Sequence, residues 1–284
     1  VGRATVRDSS GGVRAVDDAV QARLTPSNMT PYAGEVVDLD LRITLTGNHS
    51  GQVVGAPSWD AGALTAEPWS DGHAVQTSGG NAVRFHTRAL APQAGRTEIA
   101  PADQQVQLET GRRRDPFAGF DPFGSMRRMG GSRLFDEFFG GAQTTEVTAH
   151  SNAVQLDVKP LPQPAPEGFS GAVGQFTLES TLTPEHPKTG EPVTWTLTLS
   201  GTGNFPTGVR LPARAVPSDL RTLQPKQHTS FGDNGRFSGE VSEDLVVVPN
   251  QPGALALAPV TFVYFNPDSG AYETAEATPP TLQV

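Results

Sequence analysis

Hydrophobic and polar residues alternate with a period of two over much of the chain. Val37, Leu39, Leu41, Ile43 and Leu45 alternate with Asp38, Asp40, Arg42 and Thr44, which gives one apolar and one polar face and predicts a half-buried β-strand. Val193, Trp195, Leu197 and Leu199 alternate in the same way with Thr194, Thr196 and Thr198. Further alternating or β-branched runs lie at 20–24, 83–90, 105–108, 154–158, 176–182, 237–248, 255–265 and 272–284. Turn signals separate them at Gly51, Asp71-Gly72, Gly79-Gly80, Pro92 to Gly95, Asp233-Asn234-Gly235, Pro252-Gly253 and Asn266 to Gly270. Short strands at this spacing predict an all-β sandwich fold.

The two halves repeat each other. Leu24-Thr25-Pro26 recurs 158 positions later as Leu182-Thr183-Pro184, and Gly34-Glu35-Val36-Val37 recurs 156 positions later as Gly190-Glu191-Pro192-Val193. The difference of two residues is even, so the inward face of the following strand is preserved. Ala91 to Gly95 with Ile99-Ala100-Pro101 is echoed by Val248 to Gly253 with Leu257-Ala258-Pro259. The chain is therefore expected to be two tandem immunoglobulin-like β-sandwich domains. Their expected limits are a tail or partial strand at 1–19, a first domain at 20–158, a Pro-rich linker at 159–166 and a second domain at 167–284. Proline at 160, 162, 164 and 166 predicts an extended spacer that holds the domains apart.

One stretch fits neither strand nor turn. Residues 111–143 carry six of the 14 phenylalanines and repeat Asp-Pro-Phe at 115–117 and 121–123. They interrupt the first domain between a strand ending near Glu109 and one beginning near Thr145, and 132–139 could form two helical turns with Ser132 as N-cap. Phenylalanine and arginine are enriched at the cores of protein interfaces. Arg112, Arg113, Arg114, Phe117, Phe120, Phe123, Arg127, Arg128, Phe135, Phe138 and Phe139 are therefore the candidate partner-binding residues. The alternative, that the rings cover an open end of their own sandwich, stays open.

Composition narrows the function classes. The 31 glycines and 25 prolines in 284 residues fit many short elements joined by turns. A net charge of −9, from 21 basic and 30 acidic residues, argues against nucleic acid or an anionic membrane surface as main partner. The absence of cysteine excludes disulfides, thiol catalysis and cysteine-ligated zinc. His49, His73, His86, His150, His186 and His228 are scattered singly, and Asp38 and Asp40 read as solvated strand residues. No catalytic residue, cofactor or metal ligand is expected. Trp195 lies on the inward phase of its strand and reads as core, whereas Trp59 and Trp69, in a Pro/Gly-rich region, leave open a carbohydrate-binding or adhesive module. No apolar run of about 18 residues is present to span a bilayer, and the start at Val1 without a signal-peptide pattern reads as a processed chain.

An ordered series of motifs carries a family resemblance. Gly171 to Leu178, Thr189 to Thr194, Ser200 to Asn204, Val248 to Gly253, Ala258 to Phe262 and Tyr264 to Tyr272 resemble the second domain of BatD, the oxygen-tolerance protein of bacterial Bat operons. The Asp-Pro-Phe and Phe-Phe-Gly insert before Ser151 to Val154, with Val158 to Pro162 after it, resembles the end of that family's first domain. The resemblance implies an immunoglobulin-like, non-enzymatic adaptor or scaffold of the bacterial envelope, contributing to oxygen or stress tolerance. It also implies an extracytoplasmic location anchored at the inner membrane by a transmembrane helix outside these residues. The implied partners are membrane proteins with von Willebrand A domains and, indirectly, a MoxR-type ATPase.

Overall fold

The alternating runs form strands in the computed structural model, which describes residues 2, 4–7, 13–15, 19–46, 49–77, 80–109, 144–205, 209–232 and 235–284. The first half holds β1 (Ala4–Arg7), β2 (Val13–Ala15), β3 (Val20–Pro26), β4 (Val36–Leu45), β5 (Ser50–Ser58), β6 (Thr65–Ala66), β7 (His73–Thr77) and β8 (Gly80–Leu90). It continues with β9 (Gly95–Ile99), β10 (Asp103–Glu109), β11 (Thr144–His150) and β12 (Val154–Val158). The second half holds β13 (Phe169–Thr183), β14 (Val193–Gly203), β15 (Leu220–Thr222), β16 (Lys226–Phe231) and β17 (Ser238–Pro249). Its last strands are β18 (Ala254–Leu255), β19 (Val260–Asn266), β20 (Ala271–Ala277) and β21 (Leu282–Gln283). The protein is all-β.

Each half is a sandwich. In the first, β3, β4, β8 and β6 form one sheet with β7 also on β8, facing a second sheet in the order β2, β1, β11, β10, β5. The inward residues of β4, from Val37 to Ile43, meet Leu24, Phe85, Val106, Leu108 and Val147 in one buried cluster. A separate cluster fills the second sandwich, where Val193, Trp195, Leu197 and Leu199 are all 0% exposed. Burying such side chains stabilises by roughly 1.5–3 kcal/mol each, so the period-two pattern alone fixes which face turns inward.

The sequence repeat is a repeat of pairings. β13, β14 and β17, with β15 and β16 both on β17, reproduce β3, β4 and β8, with β6 and β7 both on β8. The hairpin β19–β20 stands for β10–β11, and the two-stranded pair β18–β21 for β9–β12. The repeated Gly-Glu turn is the same object twice. Gly34 and Gly190 have φ of +84° and +82°, a region open mainly to glycine, and donate to Ala91 O and Pro249 O at 2.8 and 2.9 Å.

Three expectations are corrected, and a fourth falls outside the described residues. Gly51 is not a turn but lies inside β5, where a Cβ would press on the backbone of Gln107 and Leu108. The runs at 255–265 and 272–284 each break in two, at Leu257-Ala258-Pro259 and at Pro279-Pro280, because proline offers no N–H to a ladder. The helix considered at 132–139 lies outside the described residues. The Pro-rich stretch does not hold the sandwiches apart. Lys159 bridges to Tyr32 on the first sandwich and Pro162 O accepts the Tyr272 hydroxyl of the second at 2.9 Å, so this segment lies along both.

Candidate functional site

The joint between the sandwiches grows out of the first Gly-Glu turn. The Glu35 carboxylate accepts from Tyr32 N at 2.7 Å and Asn28 Nδ2 at 2.8 Å, which fixes the turn. Tyr32 then presents its ring edge-on to Phe265 at 4.8 Å, while Lys159 Nζ sits 4.2 Å from the ring centre. A Cβ on Gly34 would touch Val173 and Asn204 of the second sandwich at 3.2 Å, so glycine serves here both the turn and the close approach.

A polar clasp stands beside this apolar contact. Arg88 of β8 donates from Nε to Glu67 Oε2 at 2.7 Å and from Nη2 to Oε1 at 3.0 Å. Glu67, whose side chain is 3% exposed, also accepts Phe237 N of the second sandwich at 2.9 Å. Arg88 Nη1 completes the clasp on Ser238 Oγ at 2.9 Å. A carboxylate this buried is tolerable only because each oxygen is hydrogen-bonded and a guanidinium neutralises it.

A cleft of about 960 Å³ opens next to the clasp, with Trp69, Asp71 and His86 on one side and Phe231 and Arg236 on the other. Two of its lining groups, Asp38 and His86, belong to a charged cluster on the sheet surface. His86 lies 3.4 Å from Asp38 and 3.5 Å from Asp40. Partial burial works against ionisation of Asp40, but the paired hydrogen bonds and charge of Arg84, at 2.7 Å, outweigh it and hold the carboxyl below its ordinary range. Among the described residues there is no group of three His, Asp or Glu side chains arranged to hold a metal ion.

The three tryptophans are structural. Trp195 is fully buried and donates its indole N–H to Ser180 Oγ at 2.8 Å. Trp59 and Trp69 pack edge-to-face at 5.4 Å against the first core, and Trp69 Nε1 is buried without a partner. Two rings turned on each other do not form a flat platform, so the carbohydrate-binding reading is not favoured.

The candidate residues Arg112, Arg113, Arg114, Phe117, Phe120, Phe123, Arg127, Arg128, Phe135, Phe138 and Phe139 lie outside the described residues. The structure does place the two ends of their segment. Glu109 pairs with Thr144, so 110–143 connects β10 to β11. Glu109 also pairs with Ser50, just past the end of β4, whereas β4 starts beside the joint at Gly34. The insert therefore leaves the first sandwich at the pole away from the second.

In the second sandwich the same hairpin closes through 267–270 alone, held by Asn266 Nδ2 and Ser269 Oγ on Glu273 Oε1 at 2.9 and 2.7 Å. The Tyr264 hydroxyl donates to Glu273 Oε2 at 2.9 Å. Burial first, then this carboxylate, pushes the phenol up to about 12 from 10.0, while Ser269, Asn266 and Tyr264 hold Glu273 below its usual value. Since the unfolded phenol ionises near pH 10 and the folded one about two units later, this stabilisation is complete below pH 10 and is lost between pH 10 and 12. The contribution of Glu273 is present above the ordinary carboxylate range and is lost as acid protonates it. Tyrosinate absorbance should show a late phase that Tyr264→Phe removes; a late phase unchanged in the variant would contradict it.

Sequence reasoning missed the joint. Glu67 and Arg88 belong to no motif, and their partners are 170 and 150 residues distant. One signal was available: at the repeated turn the first copy has Tyr32 where the second has Lys188, an aromatic that its own sandwich does not need.

Pairings and joint together define a tandem immunoglobulin-like sandwich protein. Residues 180–284 match the family model of the BatD DUF11-like domain. The match falls on this second sandwich, where the motif series from Gly171 to Tyr272 carried the same resemblance. The first sandwich lies outside the match, and its kinship to the second rests on the repeated pairings. No curated protein matches the chain significantly. Among solved structures, the type II cohesin dyad from the adaptor ScaA scaffoldin of Acetivibrio cellulolyticus is similar over 92% of this chain and 97% of that one, at 10% identity and a TM-score of 0.19. A score that low carries no argument, and the fold class rests on the sheets themselves. No helix among the described residues is long and apolar enough to cross a membrane.

Proposed function

We propose that this chain is a non-enzymatic adaptor of the bacterial envelope, located extracytoplasmically at the inner membrane. It organises a Bat-type complex of von Willebrand A-domain membrane proteins, linked indirectly to a MoxR-type ATPase, and so contributes to oxygen or stress tolerance. The observation that carries this reading is the BatD match of the second sandwich. The repeat supports the role of the insert: where one copy joins its hairpin through 267–270, the other uses 110–143, with its phenylalanines and arginines. The domain limits read from sequence, 20–158 and 167–284 around a linker at 159–166, are part of this proposal.

Replacing 115–140 by a glycine-serine loop of similar length tests the reading. The isolated protein should melt within about 2 °C of the parent, since a segment that serves a partner contributes little to the stability of its own domain. Co-purification with an A-domain membrane protein should be lost. A sharp fall in melting temperature would assign the rings to their own core, where each costs about 3–5 kcal/mol on removal. An intact complex would end the docking role.

A further inference from the structure

The second sandwich carries an edge that the first part of the structure gives no reason to leave open. All six residues of β16 are exposed. The strand pairs with β17 on one side, and among the described residues no backbone hydrogen bond reaches its other side. Gly232 N donates to Ser238 O, its directly opposite residue, which marks a hydrogen-bonded pair. Bonded and non-bonded pairs alternate in an antiparallel ladder, so Ser230, His228 and Lys226 also bond to β17, while Gln227, Thr229 and Phe231 direct N–H and C=O outward.

Three other edges are blunted. β5 is broken by Gly55, at φ +70°, and by Pro57. The outer side of β3 is capped at Leu24 by the Asn152 side-chain amide, which bonds both its N–H and its C=O at 3.1 and 3.2 Å. β20 carries Glu273 and Glu276. On β16 the only fixed charge is Lys226, at its first position. Exposed apolar side chains lie before the strand, Leu223 at 62%, and at its last position, Phe231 at 45%.

We propose that the outer edge of β16 is a strand-addition site for an extended, acidic segment of a partner protein. The sign of the partner follows from local charge. The chain is −9 overall, yet from Leu220 to Gly232 it has Arg221, Lys226 and His228 and no carboxylate. Glu240, Glu243 and Asp244 lie one strand further in, on β17, where Glu243 pairs with Arg214 and Asp244 accepts the Thr196 hydroxyl at 2.6 Å and lies 3.6 Å from His228, which leaves Arg221 and Lys226 as the outward charges. Backbone pairing with Gln227, Thr229 and Phe231 would supply affinity, and the basic residues would select acidic over basic segments. The site is on the opposite sandwich from the insert and does not depend on the docking role given to it.

Hydrogen exchange on the intact protein tests the proposal, with a synthetic heptapeptide alternating valine with glutamate as probe and its lysine counterpart as control. The acidic peptide at millimolar concentration should slow exchange at the amides of Gln227, Thr229 and Phe231 by roughly tenfold, and added salt should weaken the effect. Thr229→Pro removes an outward N–H without touching the β17 ladder and should abolish protection. Lys226→Glu leaves the backbone intact and should weaken binding of the acidic peptide alone, which keeps the test valid if the proline variant fails to fold. Absence of protection, equal protection by both peptides, or binding unchanged in both variants would overturn it. Protection that rises with protein concentration and needs no peptide would assign the edge to a second copy, and would equally overturn the acidic partner.

Discussion

Glu67→Ala should uncouple the two sandwiches. The substitution removes the acceptor of Arg88 Nε and Nη2 and of Phe237 N at once, leaving a guanidinium and a buried N–H without their partner. Breaking a buried ion pair from one side costs about 3–5 kcal/mol, more than the pair gains over apolar packing, because the remaining charge stays desolvated. The contacts of Tyr32 with Phe265, of Arg88 with Ser238 and of the Pro-rich segment with Tyr272 survive, but the joint loses its buried charge pair. Calorimetry should pass from one cooperative transition to two, and the radius of gyration should increase. Glu67→Gln, which keeps an acceptor for Phe237 N and loses only the charge, should fall between. A single unshifted transition in Glu67→Ala would show that the clasp does not couple the sandwiches.

Trp195→Ala should unfold the second sandwich at moderate temperature. The ring is 0% exposed and sits in the inward row of β14. Arg214 lies over it at 5.2 Å and binds both the Trp195 carbonyl and Glu243, the latter at 2.6 Å. Truncation therefore opens a cavity and takes the ring from beneath an arginine whose own side chain is only 2% exposed. Loss of a buried Trp costs about 3–5 kcal/mol, against a total domain stability of about 5–15 kcal/mol. At about 4 °C per kcal/mol for a domain of this size, the melting temperature should drop on the order of 10–20 °C. Trp195→Phe refills most of the volume and orphans only Ser180 Oγ, so a smaller drop is expected. Equal melting of Trp195→Ala and the parent would contradict the core role.

What could be read from sequence follows from what leaves a local trace. Strands β4 and β14 are half-buried, so selection for an apolar face writes itself into alternate positions. The Gly-Glu turn was legible because positive φ demands glycine at both copies. β16 left no such trace: with all six residues exposed, Lys226 to Phe231 has no inward face to alternate with. β5 was read as containing a turn because Gly51 stands in it, although the glycine answers a close approach of β10 rather than a bend. The Pro-rich stretch was readable as extended, but not as docked, because Tyr32 and Tyr272 reach it from 127 and 110 residues away. The joint is a product of tertiary distance, and only the odd aromatic at Tyr32 pointed to it.

The proposed adaptor role stands or falls on what the insert touches. Incorporation of the photo-crosslinking residue p-benzoylphenylalanine in place of Phe123, in bacteria that produce the protein naturally, reads that contact directly. Ultraviolet irradiation should yield a covalent adduct with a von Willebrand A-domain membrane protein, absent when the same group replaces Phe265 inside the joint. Crosslinks confined to the chain's own first sandwich, with no adduct to any membrane protein, would contradict the account.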